Sequence, residues 1–169
     1  PSERRSSAST RPEQSMADRE GGVLRRVEPG DVTRVRDFLG EADLTLAGLD
    51  APAVRLWVEL DDGKIVGSTG FELSADGEHA LIRSVAVASG RRTAGAGSRL
   101  AQHALDEARA SGASRAWLFS RRSGPFWQKL GFARAARDEL AAALPDAHQV
   151  VLFAQTGQLA REVAWSRAL

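Results

Sequence analysis

A strand that turns through glycines into a helix is the feature that most constrains how this chain can fold. Residues 81–87 are rich in β-branched side chains, residues 91–97 are Arg-Arg-Thr-Ala-Gly-Ala-Gly, and residues 97–111 carry apolar side chains at helical spacing. Glycine lets the backbone approach a ligand closely, and the N–H groups and dipole of a first helical turn favour negative charge. Two arginines beside the turn add guanidinium groups that suit a diphosphate. We therefore expect a phosphate-binding turn, although two glycines would also suit a plain tight connection.

The length of 169 residues and the hydrophobic content of 43% predict one domain with a single core, preceded by a tail. Residues 1–22 contain no Val, Ile, Leu, Phe or Trp, so we expect this tail to be disordered and the domain to cover residues 23–169. Met16 is the single methionine and is a candidate start of the native chain. Because the chain has neither cysteine nor an apolar signal segment, a cytoplasmic location is the expectation.

The composition argues against several classes of partner. No apolar run reaches the roughly 20 residues that span a bilayer. The absence of cysteine excludes disulfides, a thiol nucleophile and thiolate metal sites, and the three histidines lack ligand spacing. With 23 basic and 22 acidic side chains the net charge is only +1, so no broad basic surface suits nucleic acid. We expect no metal, no nucleic acid and no membrane partner, and a homodimer stays open.

Turn signals divide the rest of the chain into hairpins, helices and short strands. The predicted strands cover residues 23–27, 56–60, 65–73, 81–87, 116–119 and 162–165. The predicted helices cover residues 31–40, with Asp31 as N-cap, 97–111, 124–130 and 138–144. Residues 41–52 suit a loop or a short helix, and residues from 146 onward suit helix and strand equally. Antiparallel hairpins ahead of one crossover helix predict the α/β (α+β) class with a mixed, mostly antiparallel sheet.

Two segments in this order resemble one family. Residues 126–132, Phe-Trp-Gln-Lys-Leu-Gly-Phe, resemble the F-Y-x-K-L-G-F segment of the GNAT superfamily of N-acetyltransferases, and Arg92-x-x-Gly95-x-Gly97 resembles its acyl-CoA motif R/Q-x-x-G-x-G/A. Residues 67–72 and 80–87 are also similar to the arsenic-resistance type of GNAT protein. The resemblance implies a single GNAT-like domain, with helices on both faces of a sheet that is splayed at the acyl-CoA site. It also implies acetyl-CoA as co-substrate.

The resemblance implies which residues hold that cofactor. The pantetheine would lie along the main chain at the end of the predicted strand 81–87. The amides of the glycine turn would hold the pyrophosphate. A free N–H near Val85 could also bind the thioester oxygen as negative charge develops. The implied cofactor residues are Val85, Ala86, Val87, Arg92, Thr93, Ala94, Gly95, Ala96, Gly97, Ser98, Phe126, Trp127 and Lys129.

The acid that protonates the leaving thiolate is less clear from the sequence. Many members of the superfamily use a tyrosine, but this chain has none, and Trp127 stands in the corresponding place. An indole N–H donates a hydrogen bond but has no useful acidity. Three alternatives stay open: Ser120 or Ser123 donates through water, the thiolate leaves unassisted, or the protein does not catalyse. Ser120 is the candidate catalytic residue at this end.

Glu72 is the candidate base, because it lies on the strand paired with the acyl-CoA strand; Glu59 and Glu41 are alternatives. An equally simple interpretation is that Glu72 is an exposed strand residue that pairs with a cation across the sheet. Arg83 interrupts an apolar strand, so it either grips the carboxylate of an anionic acceptor or pairs with Glu72. The leucine-containing residues 41–52 would form the wall of the acceptor pocket or cover the core.

These observations favour an N-acetyltransferase that moves an acetyl group from acetyl-CoA to a primary amine of a small molecule, by direct attack in a ternary complex. An amino-acid-like toxic compound is one candidate acceptor. The alternative is a GNAT-fold module that binds acyl-CoA without turnover. A dinucleotide-binding oxidoreductase is disfavoured, because Leu100 stands where G-x-G-x-x-G needs its third glycine.

Overall fold

Seven strands form one mixed sheet in the computed structural model, which describes residues 22–93 and 95–169. The strands are β1 (Val23–Arg26), β2 (Val54–Asp61), β3 (Lys64–Leu73), β4 (His79–Val87), β5 (Arg115–Phe119), β6 (Ala133–Ala135) and β7 (Ala164–Ala168). Their order in the sheet is β1-β2-β3-β4-β5-β7-β6. The β4–β5 pair is parallel, and the other neighbours are antiparallel. The predicted mixed, mostly antiparallel sheet is confirmed.

Five α-helices accompany the sheet in the described ranges. They are α1 (Val32–Glu41), α2 (Ala96–Ala110), α3 (Gly124–Lys129), α4 (Arg137–Ala143) and α5 (His148–Thr156). Short 3-10 helices precede α1 and follow α5. Residues 42–53 contain turns and no helix, so of the two expectations for this segment the loop is correct. The predicted disordered tail lies outside the described residues apart from Gly22.

Helices pack on both faces of the sheet, as predicted. The buried side of α2 consists largely of alanines, which let the helix lie close to the sheet side chains Trp57, Phe71 and Ile82. Residues of the opposite parity in β2, among them Leu56 and Val58, face the other way and pack with α1. This alternation is the two-residue period of a strand with both faces covered.

Strands β4 and β5 separate halfway along their length. They are paired only from His79 opposite Arg115 to Leu81 opposite Trp117. Beyond that point β5 keeps its partner β7 through Phe119 opposite Ala164, while β4 keeps its partner β3. The carboxyl ends of the two central strands therefore flank an open cleft.

A bulge interrupts β4 where the cleft begins. Ser68 of β3 lies opposite Ala86, but Gly70, two residues further on, lies opposite Arg83, so β4 holds one extra residue between these pairs. Within this stretch Ser84 has a φ of +62°, a conformation that side-chain-bearing residues rarely adopt. The bulge bends β4 at the position where it leaves β5.

Candidate active site

A cavity of about 670 Å³ occupies the cleft between the carboxyl ends of β4 and β5. The start of α2 closes one end, and α3 forms a side wall. Most of the predicted cofactor residues line it: Val85, Ala86, Val87, Arg92, Thr93, Gly95, Ala96, Gly97, Ser98, Phe126 and Trp127. Lys129 is exposed and is not on the wall, and Ala94 lies outside the described residues.

The glycine turn delivers the first turn of α2 to the cavity. Gly95 occupies the N-cap of α2 with a φ of +86°, which glycine adopts without strain. A Cβ built on Gly97 would lie 3.5 Å from the ring of Phe126, so a larger side chain would fill the space between α2 and α3. Because a first helical turn leaves backbone N–H groups without intrahelical acceptors, this end of the cavity suits an anion. Arg92 lies beside it with an exposed side chain.

The main chain of β4 forms the long wall of the cavity. Since β4 has no strand neighbour on the cleft side beyond Leu81, the N–H and C=O groups that point there are free of the ladder. Val85, Ala86 and Val87 are half-buried on this wall. An extended, amide-containing ligand can hydrogen-bond to such an edge in the manner of an added strand.

Trp127 belongs both to the cavity wall and to the core. Its ring packs edge-to-face against Phe126, with centroids 4.9 Å apart, and against Phe132 at 5.4 Å. These contacts bury the indole and fix its orientation. The aromatic residues of the 126–132 segment thus shape the wall by packing.

Ser120 directly follows β5 and is one of the residues that line the cavity. The hydroxyl oxygen accepts a hydrogen bond of 3.1 Å from the Ser123 N–H, and the Ser120 carbonyl accepts one of 2.9 Å from the indole of Trp165. Among the described residues the Ser120 O–H has no acceptor. Its proton is therefore available to a ligand or to water in the cavity.

Glu72 does not line the cavity. Its carboxylate is only 2% exposed, and its two oxygens accept hydrogen bonds of 3.1 and 3.0 Å from the N–H of His148 at the start of α5. The His148 Nδ1 lies 2.5 Å from one of these oxygens, and the Arg83 Nη1 lies 3.7 Å from the other. The geometry corresponds to the alternative in which Glu72 partners a cation, but the expected exposure is wrong, because the carboxylate is buried beside Arg83 and the start of α5.

Arg83 is one of the residues that line the cavity, but its side chain is buried behind the wall. Its side chain has 0% exposure, so a ligand meets only its main chain. The guanidinium donates to the carbonyl of Thr45 at 3.2 Å and to the Ser84 hydroxyl at 3.4 Å, while its Nη1 has no hydrogen-bond acceptor in the described part of the chain. Burial lowers the pKa of Arg83, and the nearby Glu72 carboxylate opposes that effect. In this arrangement the guanidinium does not grip an acceptor carboxylate directly.

The cavity is also lined by residues outside the two motifs. Leu44 from the 42–53 loop, Phe119 from β5 and Gln149 from α5 line it together with Ser84. Of these four residues, only Leu44 lies in a segment that the sequence marked as a candidate wall. The loop also covers the core, because Leu49 packs with the α1 cluster. Its role as the wall of an acceptor pocket stays a prediction. Gln149 carried no motif signal, since it lies where helix and strand were equally compatible.

No carboxylate side chain lines the cavity within residues 22–93 and 95–169. The two alternative bases are also elsewhere: Glu59 is buried and binds Arg99 at 2.9 Å, and Glu41 is exposed at the end of α1. The described residues likewise contain no group of three His, Asp or Glu side chains that could hold a metal ion. They include no helix that is long and apolar enough to cross a membrane.

A mixed sheet split at its parallel pair, with helices on both faces, is consistent with the GNAT fold that the two motifs imply. Residues 25–132 match the sequence profile of the acetyltransferase (GNAT) family, and the chain belongs to that family. The family predicted from the two motifs is confirmed; the arsenic-resistance subtype is not shown.

Relatives with established names support the same assignment over part of their length. The amino-acid acetyltransferases of two Neisseria meningitidis strains, of serogroups A and B, are 33% identical to this chain over 79 residues. That stretch is 47% of this chain and 18% of each relative, so the chain spans less than a fifth of the curated relatives that it matches.

Solved structures share the fold. The N-acetylglutamate synthase of Neisseria gonorrhoeae, solved with coenzyme A and N-acetyl-glutamate, superposes with a TM-score of 0.67 at 24% identity, over 87% of this chain and 35% of that chain. Rv2747 of Mycobacterium tuberculosis, also solved with coenzyme A, superposes with a TM-score of 0.68 at 19% identity, over 87% of this chain and 99% of that one.

Proposed function

We propose that this chain transfers the acetyl group of acetyl-CoA to a primary amine of a small molecule, by direct attack in a ternary complex. The observation that carries the proposal is one continuous cavity that joins the glycine turn of α2 to the acceptor end at Leu44 and Gln149. A shared cavity lets both substrates bind at once, which turns a bimolecular attack into an oriented step within one complex.

The cofactor end supports acetyl-CoA in particular. The first turn of α2 and Arg92 suit the pyrophosphate, and the free edge of β4 suits the amide groups of pantetheine. Structural relatives solved with coenzyme A share this fold. With the pantetheine along β4, the thioester would lie near the bulge at Ser84 and Val85.

The amine nitrogen bonds to the thioester carbon, and the C–S bond then breaks with departure of the CoA thiolate. The main-chain N–H of Val85 would stabilise the oxyanion that develops on the carbonyl oxygen. Since no described carboxylate reaches the cavity, we assign removal of the ammonium proton to water that enters the open cleft. Glu72 then acts as the partner of Arg83 and of α5, not as the base.

Ser120 would relay a proton from cavity water to the leaving thiolate: its O–H donates to the sulfur while water returns a proton to its oxygen, so the hydroxyl is restored. Thiols have a pKa of about 8.5, so the thiolate leaves more readily than an alkoxide and needs less assistance. We therefore expect Ser120→Ala to lower kcat by about tenfold, below the usual 10²–10⁴-fold effect of general acid–base groups. Loss of the bond from the Ser123 N–H would add a small cost in stability.

The acceptor class rests on relatives and not on a charge in the cavity. Amino-acid acetyltransferases are among the named relatives, which favours an amino-acid-like amine. The Arg83 guanidinium would turn toward the carboxylate of such an acceptor if it gave up its hydrogen bond to the Thr45 carbonyl of the 42–53 loop. A toxic amino acid analogue remains one candidate of this class.

The test is thiol release from acetyl-CoA with a panel of amines, half of them carrying a carboxylate. We expect release with at least one amine, and no release with Gly97→Trp, whose side chain would fill the space beside Phe126. Gly40→Trp is the matched control, because Gly40 lies in α1 with no atom within 4 Å of an added Cβ, and it should leave the rate unchanged.

A second candidate function, an acyl-CoA-binding module, is favoured by the lack of tyrosine and of a carboxylate on the described wall. Tight binding of acetyl-CoA by calorimetry, with no thiol release on any amine, would establish this module and contradict the enzyme.

A further inference from the structure

We propose that Ser68 is a positioning residue for acyl transfer, whose hydroxyl holds the β4 bulge in the shape that presents the main chain of Val85 to the thioester. The inference rests on the proposed function, since it names a residue that prepares the same site. Ser68 lies on β3, is 1% exposed and does not line the cavity. It therefore acts through β4 and not on the substrate.

The link between the two strands is a single buried hydrogen bond. The Ser68 hydroxyl donates to the carbonyl oxygen of Ser84 at 2.6 Å. In a regular antiparallel ladder a backbone N–H of the neighbouring strand would serve such a carbonyl, but the register shift between Ser68 and Gly70 removes that regular pairing. A side-chain hydroxyl takes the place of a ladder donor at the point where the ladder is irregular.

The bulge needs this support because it is conformationally costly. Ser84 has a φ of +62°, and a residue with a Cβ pays to adopt that conformation. Without the Ser68 hydroxyl the Ser84 carbonyl would also be a buried acceptor with no partner. Both penalties favour a more regular β4. In such a strand the main-chain N–H of Val85 would no longer have the orientation toward the cavity that the bulge gives it.

Thr69, the next residue along β3, offers a matched contrast. Its side chain is also buried, at 0% exposure, and its hydroxyl donates to a main-chain carbonyl, that of Leu100 in α2, at 2.7 Å. Because side chains alternate along a strand, Thr69 faces α2 while Ser68 faces away from it. Thr69→Val therefore removes a comparable buried hydrogen bond without touching the bulge.

The experiment compares Ser68→Ala with Thr69→Val for turnover and for the affinities of acetyl-CoA and of free CoA. We expect Ser68→Ala to lower kcat by about tenfold to a hundredfold, short of the 10²–10³-fold loss on deleting an oxyanion donor. It should also lower the affinity for acetyl-CoA more than the affinity for CoA, since only acetyl-CoA carries the thioester carbonyl. Thr69→Val should lower stability but leave kcat and the affinity ratio unchanged.

The substitution Ser84→Gly tests whether a less strained bulge restores the activity that Ser68→Ala loses. Glycine adopts a positive φ without a Cβ penalty, so the bulge of Ser84→Gly depends less on its clamp. We therefore expect Ser68→Ala to lower turnover less when it is added to Ser84→Gly than when it is added to the wild type.

Three results separate the ideas. Wild-type protein without acetyl-CoA turnover would overturn the proposed function and this inference with it. A normal wild type with an unaffected Ser68→Ala, or with Thr69→Val impaired to the same degree, would overturn the inference alone. Selective loss in Ser68→Ala, with partial recovery in the double variant, would support it.

Discussion

Arg83 and Glu72 form a buried charge pair in which no hydrogen bond joins the guanidinium to the carboxylate. The 3.7 Å between Nη1 and Oε2 is too long for a hydrogen bond, while the Glu72 oxygens are engaged by His148. Desolvation of two charges in such a pair offsets most of their attraction, whereas removing one partner leaves the other uncompensated. The pair therefore affects stability mainly through the cost of leaving one of the two charges buried without its partner.

Glu72→Gln should destabilise the protein by about 3 kcal/mol, because it leaves the Arg83 guanidinium buried without its carboxylate. The double variant Glu72→Gln, Arg83→Gln should lose much less than the sum of the two single variants. Urea unfolding of all four proteins at pH 7 measures this coupling. Strictly additive losses would show that the two side chains do not interact.

At this scale the sequence identified the right residues but not their direction. Arg83 in an apolar strand was recognisable as a charge in need of a partner, and Glu72 on the paired strand as a candidate for that partner, but the burial of Glu72 was not predicted. Whether they turn into the cleft or beneath it depends on the contact with Thr45 and on the start of α5, which lie 38 and 76 residues away in the chain. Such long-range contacts leave no local pattern.

Among the elements, the joint between β1 and α1 is organised by one carboxylate. Asp31 occupies the N-cap position of α1 as predicted, but its side chain does not cap that helix. Arg25 binds it at 2.6 and 2.8 Å, Arg34 at 2.9 Å, and the Glu28 N–H at 2.9 Å. The hydrogen bond from Arg25, then those from Glu28 and Arg34, hold the pKa of Asp31 well below its usual range.

Asp31→Asn should lower the free energy of unfolding by about 2 kcal/mol at pH 7, the scale of hydrogen bonds to a charged group. Because the folded-state pKa is depressed, this contribution is present above the unfolded-state pKa of about 3.9 and is lost as pH falls below it. The gap between wild type and variant should therefore shrink from pH 5 to pH 2. Denaturant unfolding across that range checks it; a constant gap would mean that the Asp31 charge contributes nothing.

Elements with strong local patterns were predicted well, and elements set by packing were not. The hairpins, the glycine turn and α2 carry their own turn residues and periodicity. In contrast, α5 is apolar around most of its circumference, so its sequence shows no period, and β7 lies about two residues beyond the predicted strand at 162–165. Only the contact of α5 with the sheet and the loop selects a helix there.

For the whole molecule, acetyl-CoA would bridge β4, α2 and α3 and so stabilise the folded state. At a concentration 100 times the Kd, a ligand that binds only the folded state adds about 2.7 kcal/mol. For a protein of this size we expect Tm to rise by about 5–10 °C. Thermal melts with acetyl-CoA, with CoA and with NAD measure the effect.

NAD serves as the control ligand in those melts, because it carries a pyrophosphate but no pantetheine. It should leave Tm nearly unchanged. A shift with NAD and none with acetyl-CoA would contradict the assignment of the cofactor end of the cavity.

The two ends of the cavity differ in how far the sequence could predict them. The proposed cofactor end draws its described lining residues from short stretches of sequence, 85–87, 92–93 and 95–98, whose glycines mark the turn. The acceptor end combines Leu44, Ser84, Phe119 and Gln149 from four separate parts of the chain. The sequence marked only the segment that contains Leu44 as a candidate wall, because the fold alone brings Ser84, Phe119 and Gln149 to the same place.

The separation of β4 from β5 also has a kinetic consequence. Each strand keeps an antiparallel partner on its outer side, β3 for β4 and β7 for β5, so the gap persists without a ligand to prop it open. A slot that is already open requires no prior rearrangement, and the rate of cofactor association should then scale with its concentration and show no saturating conformational step. The interrupted sheet therefore predicts that acetyl-CoA binds in a single bimolecular step, without a preceding conformational change of the protein.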